Sequence, residues 1–337
     1  MSARIQPPAV AATCRPPHCQ PSAGNVGSVR ASVGVSVIIP TKNRPGELCE
    51  TVASLLAQTV SPLEILIVDQ SPGDDSWRAV SERWRSAGTS VRLRYFREPA
   101  ISGATAARNY AMDRAEGEIW LFLDDDVILE PDFIAALLCV YRDHPRTDGV
   151  SGVITNYRAP SWRFRLWRRI FERGLFRDDR QPIYWRADAL RHSPPLPVTR
   201  FGSGLMSFRA ARVAHHRFDP CLPGVPRGED VDFCLGLGAG ARLLIAPGAR
   251  LAHKGGDVAR IPAAWLTAEM RGARYLYGRH RHRHRAAALA LAWLFTGYAL
   301  LAVAECGRAR SLVGLRAYFA GWRAPSHAGP AGRRLAS

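Results

Sequence analysis

The chain has 337 residues, 47% hydrophobic and 22% charged, a balance that excludes a disordered or fibrous protein and allows a large buried core. Its net charge of +17 is concentrated: residues 158–200 hold 11 Arg against four acidic residues, and residues 250–337 hold 15 Lys or Arg against three. Two local basic zones point to an anionic surface such as a membrane or nucleic acid.

Residues 1–32 mix Pro, Ala, Ser and Gly, lack an apolar run long enough for a secretory segment, and read as a disordered tail, as do residues 326–337. From residue 33, strand-like and helix-like patterns alternate. Strands are expected at 35–39, 64–68, 91–96 and 119–123. Helices are expected at 45–58, opened by Pro45 in the first turn, and at 76–86, 104–115 and 131–141. Apolar strands alternating with helices predict an α/β fold with a mostly parallel, doubly wound sheet. In such a sheet ligands bind outside the carboxyl ends of the strands, where Thr41, Asp69 and Asp124 each fall.

The fourth strand ends in Asp124, Asp125 and Asp126. Three like charges this close repel unless a cation or a donor-rich ligand neutralises them. A hard divalent ion together with a phosphate-bearing substrate would do so, and a solvated acidic turn is the alternative. Past residue 150 the alternation stops. Strands are expected at 150–155, 201–208 and 242–245, and a short helix at 229–237. Its opening acids Glu229 and Asp230 fit either a catalytic carboxylate or an acid-rich helix N-terminus.

The insert 158–198 is rich in Arg and aromatics. It places Trp162, Leu166 and Ile170 at helical spacing with Trp167 and Phe171 beside them, which suits a membrane-interface helix or a helix packed on the core. Residues 286–304 are apolar and uncharged, long enough to approach the thickness of a bilayer core, but Arg follows at 308, 310, 316 and 323 as well as preceding. A helix lying at the membrane or packed on the domain is expected in preference to a simple span. The run 280–285, His-Arg-His-Arg-His-Arg, beside it reads as a polybasic lipid contact. The seven cysteines, Cys14, Cys19, Cys49, Cys139, Cys221, Cys234 and Cys306, have no C-x-x-C pair and read as reduced thiols in a cytosolic setting.

The segments Val37-Ile-Ile-Pro-Thr-Lys-Asn-Arg-Pro45, Glu64-Ile-Leu-Ile-Val-Asp69, Gly103-Ala-Thr-Ala-Ala-Arg-Asn109, Phe122-Leu-Asp-Asp-Asp126, Gly228-Glu-Asp-Val-Asp-Phe233 and His253 occur in this order. In that set and order the chain, from about residue 33 to 255, resembles the family 2 glycosyltransferases, inverting enzymes of GT-A fold. The resemblance implies a GT-A domain at 33–255, with a nucleotide half at 33–130 and an acceptor half at 131–255. A helical, membrane-associated extension is expected at 256–325.

It further implies a donor site of Pro40, Thr41, Asn43, Arg44, Asp69, Arg108 and Asp124. Asp126, Asp124 and His253 would hold Mn²⁺ or Mg²⁺, with Asp125 pointing elsewhere. Asp230 would be the base and Glu229 its acceptor-binding neighbour. Gln70 stands where the family often has a second acid or Asn.

The implied reaction moves a sugar from a UDP- or dTDP-sugar to a saccharide or lipid-linked acceptor of the cell envelope. The expected location is cytoplasmic, peripheral at the inner face of the membrane, with no nucleic acid partner. A nucleotidyltransferase on a similar fold, or a basic nucleic-acid- or membrane-binding protein without catalysis, is the other reading.

Overall fold

Strand β1 (Val35–Thr41) is buried at every position, as a strand covered by helices on both faces must be. The computed structural model describes residues 33–202, 204–220, 228–255 and 263–323; the tails expected at 1–32 and 326–337, and Cys14, Cys19 and Cys221, lie outside them. After β1 come α1 (Pro45–Leu56), β2 (Glu64–Asp69), α2 (Asp75–Ser86), β3 (Arg92–Arg97), α3 (Ala104–Met112), β4 (Ile119–Leu123), β5 (Val127–Leu129) and α4 (Phe133–Asp143). The second half carries β6 (Gly149–Ile154), α5 (Trp162–Phe171), the single turn α6 (Gln181–Tyr184), β7 (Leu196–Val198), β8 (Leu205–Arg209), the single turn α7 (Ala210–Val213), α8 (Glu229–Gly236) and β9 (Leu243–His253). Three helices follow, α9 (Ala263–His280), α10 (Ala287–Ala309) and α11 (Val313–Arg323).

Among the described residues the strands form one sheet in the order β3-β2-β1-β4-β8-β6-β9-β5, with β7 also on β9. The first four are parallel, as the alternation predicts, and the direction reverses at β8, antiparallel to β4. Thr41 lies opposite Asp69, and Ile38 opposite Phe122. The carboxyl ends of β1, β2 and β4 therefore meet at one edge, beside the place where the sheet changes direction.

Strand β9 runs eleven residues, far past the expected 242–245. Pro247 and Gly248 read as turn chemistry, yet the strand continues because its pairing with β6 shifts register between Ser151 and Val153. Its far end pairs with β5, setting His253 opposite Val127 and next to Asp126.

The basic insert and the C-terminal helices build a second apolar cluster. Trp167, Phe171, Leu175 and Phe176 pack with Met270, Leu294, Phe295, Tyr298 and Ala302. Helix α5 packs on this cluster with one side only. Trp167 and Phe171 are buried, whereas Trp162, Leu166 and Ile170 are exposed, with Trp162 at 64%. Asp232 on α8 anchors α9 by accepting from His280 Nε2 at 2.7 Å and lying 3.0 Å from Arg279 Nε, so it points away from Asp230 as a helix requires.

Candidate active site

The three converging strand tips each place a side chain by a different device. At the end of β1, the Thr41 hydroxyl donates to Asp125 Oδ2 at 2.6 Å. Pro40 is buried beside it, paired across the sheet with Val68. The chain turns through Asn43 at φ +57°, a left-handed conformation that Asn tolerates, and the Asn43 N–H donates to Ser71 Oγ at 2.7 Å. Asp69 at the end of β2 is fully buried. Its Oδ1 accepts from the Ser71 N–H at 2.8 Å and its Oδ2 from the Tyr95 hydroxyl. Gln70, where the family often has an acid, accepts from the Gly103 N–H at 2.7 Å and so ties this tip to the start of α3.

The aspartate triplet lies in a turn, not in extended chain, so simple alternation of side chains does not apply to it. Asp125 does not point away from the site's framework. Besides Thr41, it accepts from Arg44 Nη1 at 3.1 Å, and the same nitrogen lies 3.2 Å from Asp126 Oδ2. Burial, with two carboxylates beside it, holds the Asp125 carboxyl above the usual range.

Asp124 accepts from Arg108 Nη2 at 3.0 Å. Gly204, at φ +73°, makes room for it: a Cβ there would fall 2.1 Å from Asp124 Oδ2.

One ligand atom from each of Asp124, Asp126 and His253 lies within 4.8 Å of the others. His253 Nε2 is 3.1 Å from Asp126 Oδ1 and 3.7 Å from Asp124 Oδ2. Asn156 clamps the His253 backbone at both N–H and C=O. The carboxylates of Asp124 and Asp126 push the imidazole up to about 9, and His253 in turn holds Asp126 below the usual range. His253 Nδ1 is also buried without a hydrogen-bond partner. Two carboxylates and an imidazole with open coordination capacity fit a divalent cation, and this mixed O/N set suits Mn²⁺ somewhat better than Mg²⁺.

A continuous run of contacts leads from this cluster to the second acidic pair. Arg108, buried on α3 with its guanidinium 5.5 Å from the Phe218 ring centroid, bonds Asp124 through one nitrogen and reaches Glu229 Oε1 at 3.4 Å with the other. Glu229 thus stands against the arginine that also holds Asp124. Burial, and then the neighbouring Asp230 charge, push its carboxyl up to about 7, and its Oε2 has no hydrogen-bond partner.

Asp230, 2% exposed, accepts from the Val231 N–H at 2.8 Å through Oδ1 and from Arg180 Nη1 at 3.2 Å through Oδ2. The structure brings every residue expected for donor, metal and base into this one linked region. Sequence reasoning missed Arg180, Ser71, Tyr95 and the framework part played by Asp125. Only Tyr95, at period two along β3, carried a signal that could have flagged it.

Residues 36–211, just over half of the chain, match glycosyl transferase family 2. The chain is 32% identical over 136 residues to an N-acetylglucosaminyltransferase of Azorhizobium caulinodans, covering 39% of this chain and 33% of that protein. It is 36% identical over 92 residues to the Escherichia coli UDP-Glc:alpha-D-GlcNAc-diphosphoundecaprenol beta-1,3-glucosyltransferase WfaP, covering 27% and 35%. Both matches leave about two thirds of the relative uncovered. Among solved structures, the mannosyltransferase PcManGT from Pyrobaculum calidifontis, in complex with GDP-Man and Mn²⁺, is similar in fold at a TM-score of 0.54 and 16% identity, over 86% of this chain and 85% of that one.

Proposed function

The chain belongs to glycosyl transferase family 2, and from that premise we propose that it is a metal-dependent, inverting enzyme that moves a sugar from a nucleotide-sugar, UDP- or dTDP-linked, to an acceptor hydroxyl of a cell-envelope or lipid-linked saccharide. The observation that carries the reading is the Asp124–Asp126–His253 cluster at the edge where β1, β2 and β4 end. The names of the relatives support the acceptor class, since one acts on a diphosphoundecaprenol-linked sugar.

In this reading Pro40, Thr41, Asn43, Arg44 and Asp69 cradle the nucleoside, held in place by Asp125, Ser71 and Tyr95. Asp124, oriented by Arg108, faces the ribose and the diphosphate. Asp126, Asp124 and His253 hold the divalent cation, which when bound offsets charge on the diphosphate leaving group. The acceptor oxygen attacks the anomeric carbon from the face opposite the diphosphate. The bond to the diphosphate oxygen breaks, and the nucleoside diphosphate leaves with the electron pair. The acceptor proton passes to the Asp230 carboxylate. Glu229, beside it, contacts the acceptor. The experiment is nucleoside diphosphate release from a panel of UDP-, dTDP- and GDP-sugars, with and without Mn²⁺. Turnover is expected with a UDP- or dTDP-sugar and Mn²⁺ only; equal turnover in EDTA would remove the metal from the reading.

The C-terminal half supports a membrane setting. Most exposed large apolar side chains among the described residues lie on α5, on α10 or at α11, including Trp162, Trp293, Leu300, Phe319 and Trp322. Helix α10 is long and apolar enough to cross a membrane, with mean hydropathy 2.0, yet one side packs on α5 and α9 through Leu294, Phe295 and Tyr298. Arg flanks it at both ends, which suits a helix lying in the interface. A cleft of about 340 Å³ between Leu175 and the start of α10 has an apolar floor with Arg173, His284 and Arg285 around it, a chemistry matched to an anionic lipid.

The chain is expected to sediment with phosphatidylglycerol vesicles and not with phosphatidylcholine alone, and binding should weaken as salt rises. Trp162→Ala and Trp293→Ala should each weaken binding about tenfold, the loss of ~1.5 kcal/mol of aromatic burial. Binding unaffected by lipid charge, salt and both substitutions would exclude this face.

A further inference from the structure

We propose that Arg180 is a positioning residue for the Asp230 carboxylate, so that the basic insert supplies part of the catalytic geometry; this rests on the reading of Asp230 as the base. Arg180 donates through Nη1 to Asp230 Oδ2 at 3.2 Å, while the Val231 N–H holds Oδ1 at 2.8 Å. With one donor on each oxygen the carboxylate has a single orientation. Each oxygen accepts more than one hydrogen bond, so capacity remains for an acceptor hydroxyl.

Arg180 is itself immobilised from three sides. Its Nε donates to Asp178 Oδ1 at 3.1 Å and Oδ2 at 3.2 Å, and its own backbone N–H donates to Asp178 Oδ1 at 3.2 Å. The third side is Gly202, just ahead of β8, where a Cβ would fall 2.2 Å from Arg180 Nη1. Any side chain there displaces the guanidinium.

The anchoring extends into the insert helix. Arg168 Nη2 lies 3.5 Å from Asp178 Oδ2, and Arg168 is gripped by both oxygens of Glu172 at 2.7 Å. Charges thus alternate from α5 to the base: Glu172, Arg168, Asp178, Arg180, Asp230. Stability alone is a weak reason for such a chain, because apolar side chains of similar volume would fill the same space at no greater cost. What the ionic chain adds is direction, since the rigid guanidinium spans two carboxylates, Asp178 through Nε and Asp230 through Nη1. The helix that starts it exposes Trp162, Leu166 and Ile170, so the fit of the insert at a surface reaches the base through a short rigid path.

The test uses the full chain, Mn²⁺, and whichever UDP- or dTDP-sugar the wild type turns over fastest, with water as the acceptor. The charge-balanced double variant Arg180→Met/Asp178→Asn is expected to lose ~30-fold or more in kcat, part of the ~10²–10⁴ attributed to a positioned base, while donor KM stays within about threefold. Arg180→Lys, which keeps the charge and one donor for Asp230 but cannot also span to Asp178, should recover part of that loss. Gly202→Ala, which moves the guanidinium without removing any charge, should reproduce the drop in kcat and decides the matter if the double variant does not fold. A kcat within about threefold of wild type in the double variant or in Gly202→Ala overturns the proposal. So does a parallel loss of kcat, donor KM and melting temperature that Arg180→Lys does not rescue. A wild type with no sugar-nucleotide turnover is a separate result, read before any variant, and removes the functional reading together with the inference.

Discussion

Asp230→Asn is expected to lower kcat by ~10²–10⁴, the range forfeited when a general base is lost, with donor KM close to wild type. Asparagine has nearly the same shape, and its carbonyl oxygen still accepts from Arg180, at the cost of the Val231 N–H bond to the other oxygen. What it cannot do is take the acceptor's proton. Donor binding should survive because contact between Asp230 and the donor residues is indirect, through Glu229 to Arg108 and from there to Asp124. Two measurements check this together: nucleoside diphosphate release, and the rise in melting temperature produced by UDP with Mn²⁺. Loss of release with an unchanged melting shift is the expected result. Loss of both would move Asp230 to the nucleotide site and leave the proton without an acceptor in this arrangement.

The meeting of the strand tips at Thr41, Asp69 and Asp124 was legible in the chain because it depends on local signals. Apolar runs of strand length closed by Pro40, Asp69 and Asp124 mark strand ends, and parallel strands bring their carboxyl ends to one edge. Thr41 opposite Asp69 is the direct consequence. His253 was legible only through the resemblance, since a lone histidine after Leu-Ala carries no signal of its own. Its place beside Asp126 comes from the β5–β9 register, which depends on a strand nearly three times the expected length.

Asp125 lies outside the Asp124–Asp126–His253 group, and what the chain did not show is where it goes instead. The triplet lies in a turn, so the middle carboxylate swings toward β1 and holds Thr41 and Arg44. Arg180 was invisible because it lies fifty residues before Asp230 in a stretch where arginine is common. Nothing in that spacing separates it from Arg177 or Arg186; only burial and the space left by Gly202 do. The amphipathic reading of α5 was right about period and silent about sides. The face with Trp167 and Phe171 faces an apolar cluster that forms only when helices more than a hundred residues later arrive.

Asp126→Asn and Asp125→Asn, one residue apart, should fail in different ways. Asp126 shares with His253 the closest carboxylate–imidazole approach in the cluster, at its buried Oδ1. An amide there removes a full negative charge and one anionic ligand, where even supporting residues around a metal are worth ~10–100-fold in affinity, so the apparent Mn²⁺ affinity should weaken by ~100-fold or more. Turnover should return in part at high Mn²⁺, because Asp124 and His253 remain.

Asp125→Asn leaves all three ligands in place and instead loosens Thr41 and Arg44, so donor KM should rise while the Mn²⁺ dependence holds. Titrating nucleoside diphosphate release against Mn²⁺ at several donor concentrations separates the two. Equal shifts in Mn²⁺ dependence for both variants would mean that the triplet acts as one diffuse charge, and the assignment of the cation to Asp124, Asp126 and His253 would fail. Divergent shifts would mean that the turn divides its three carboxylates by direction: two toward the ion and one toward the frame that holds the nucleotide.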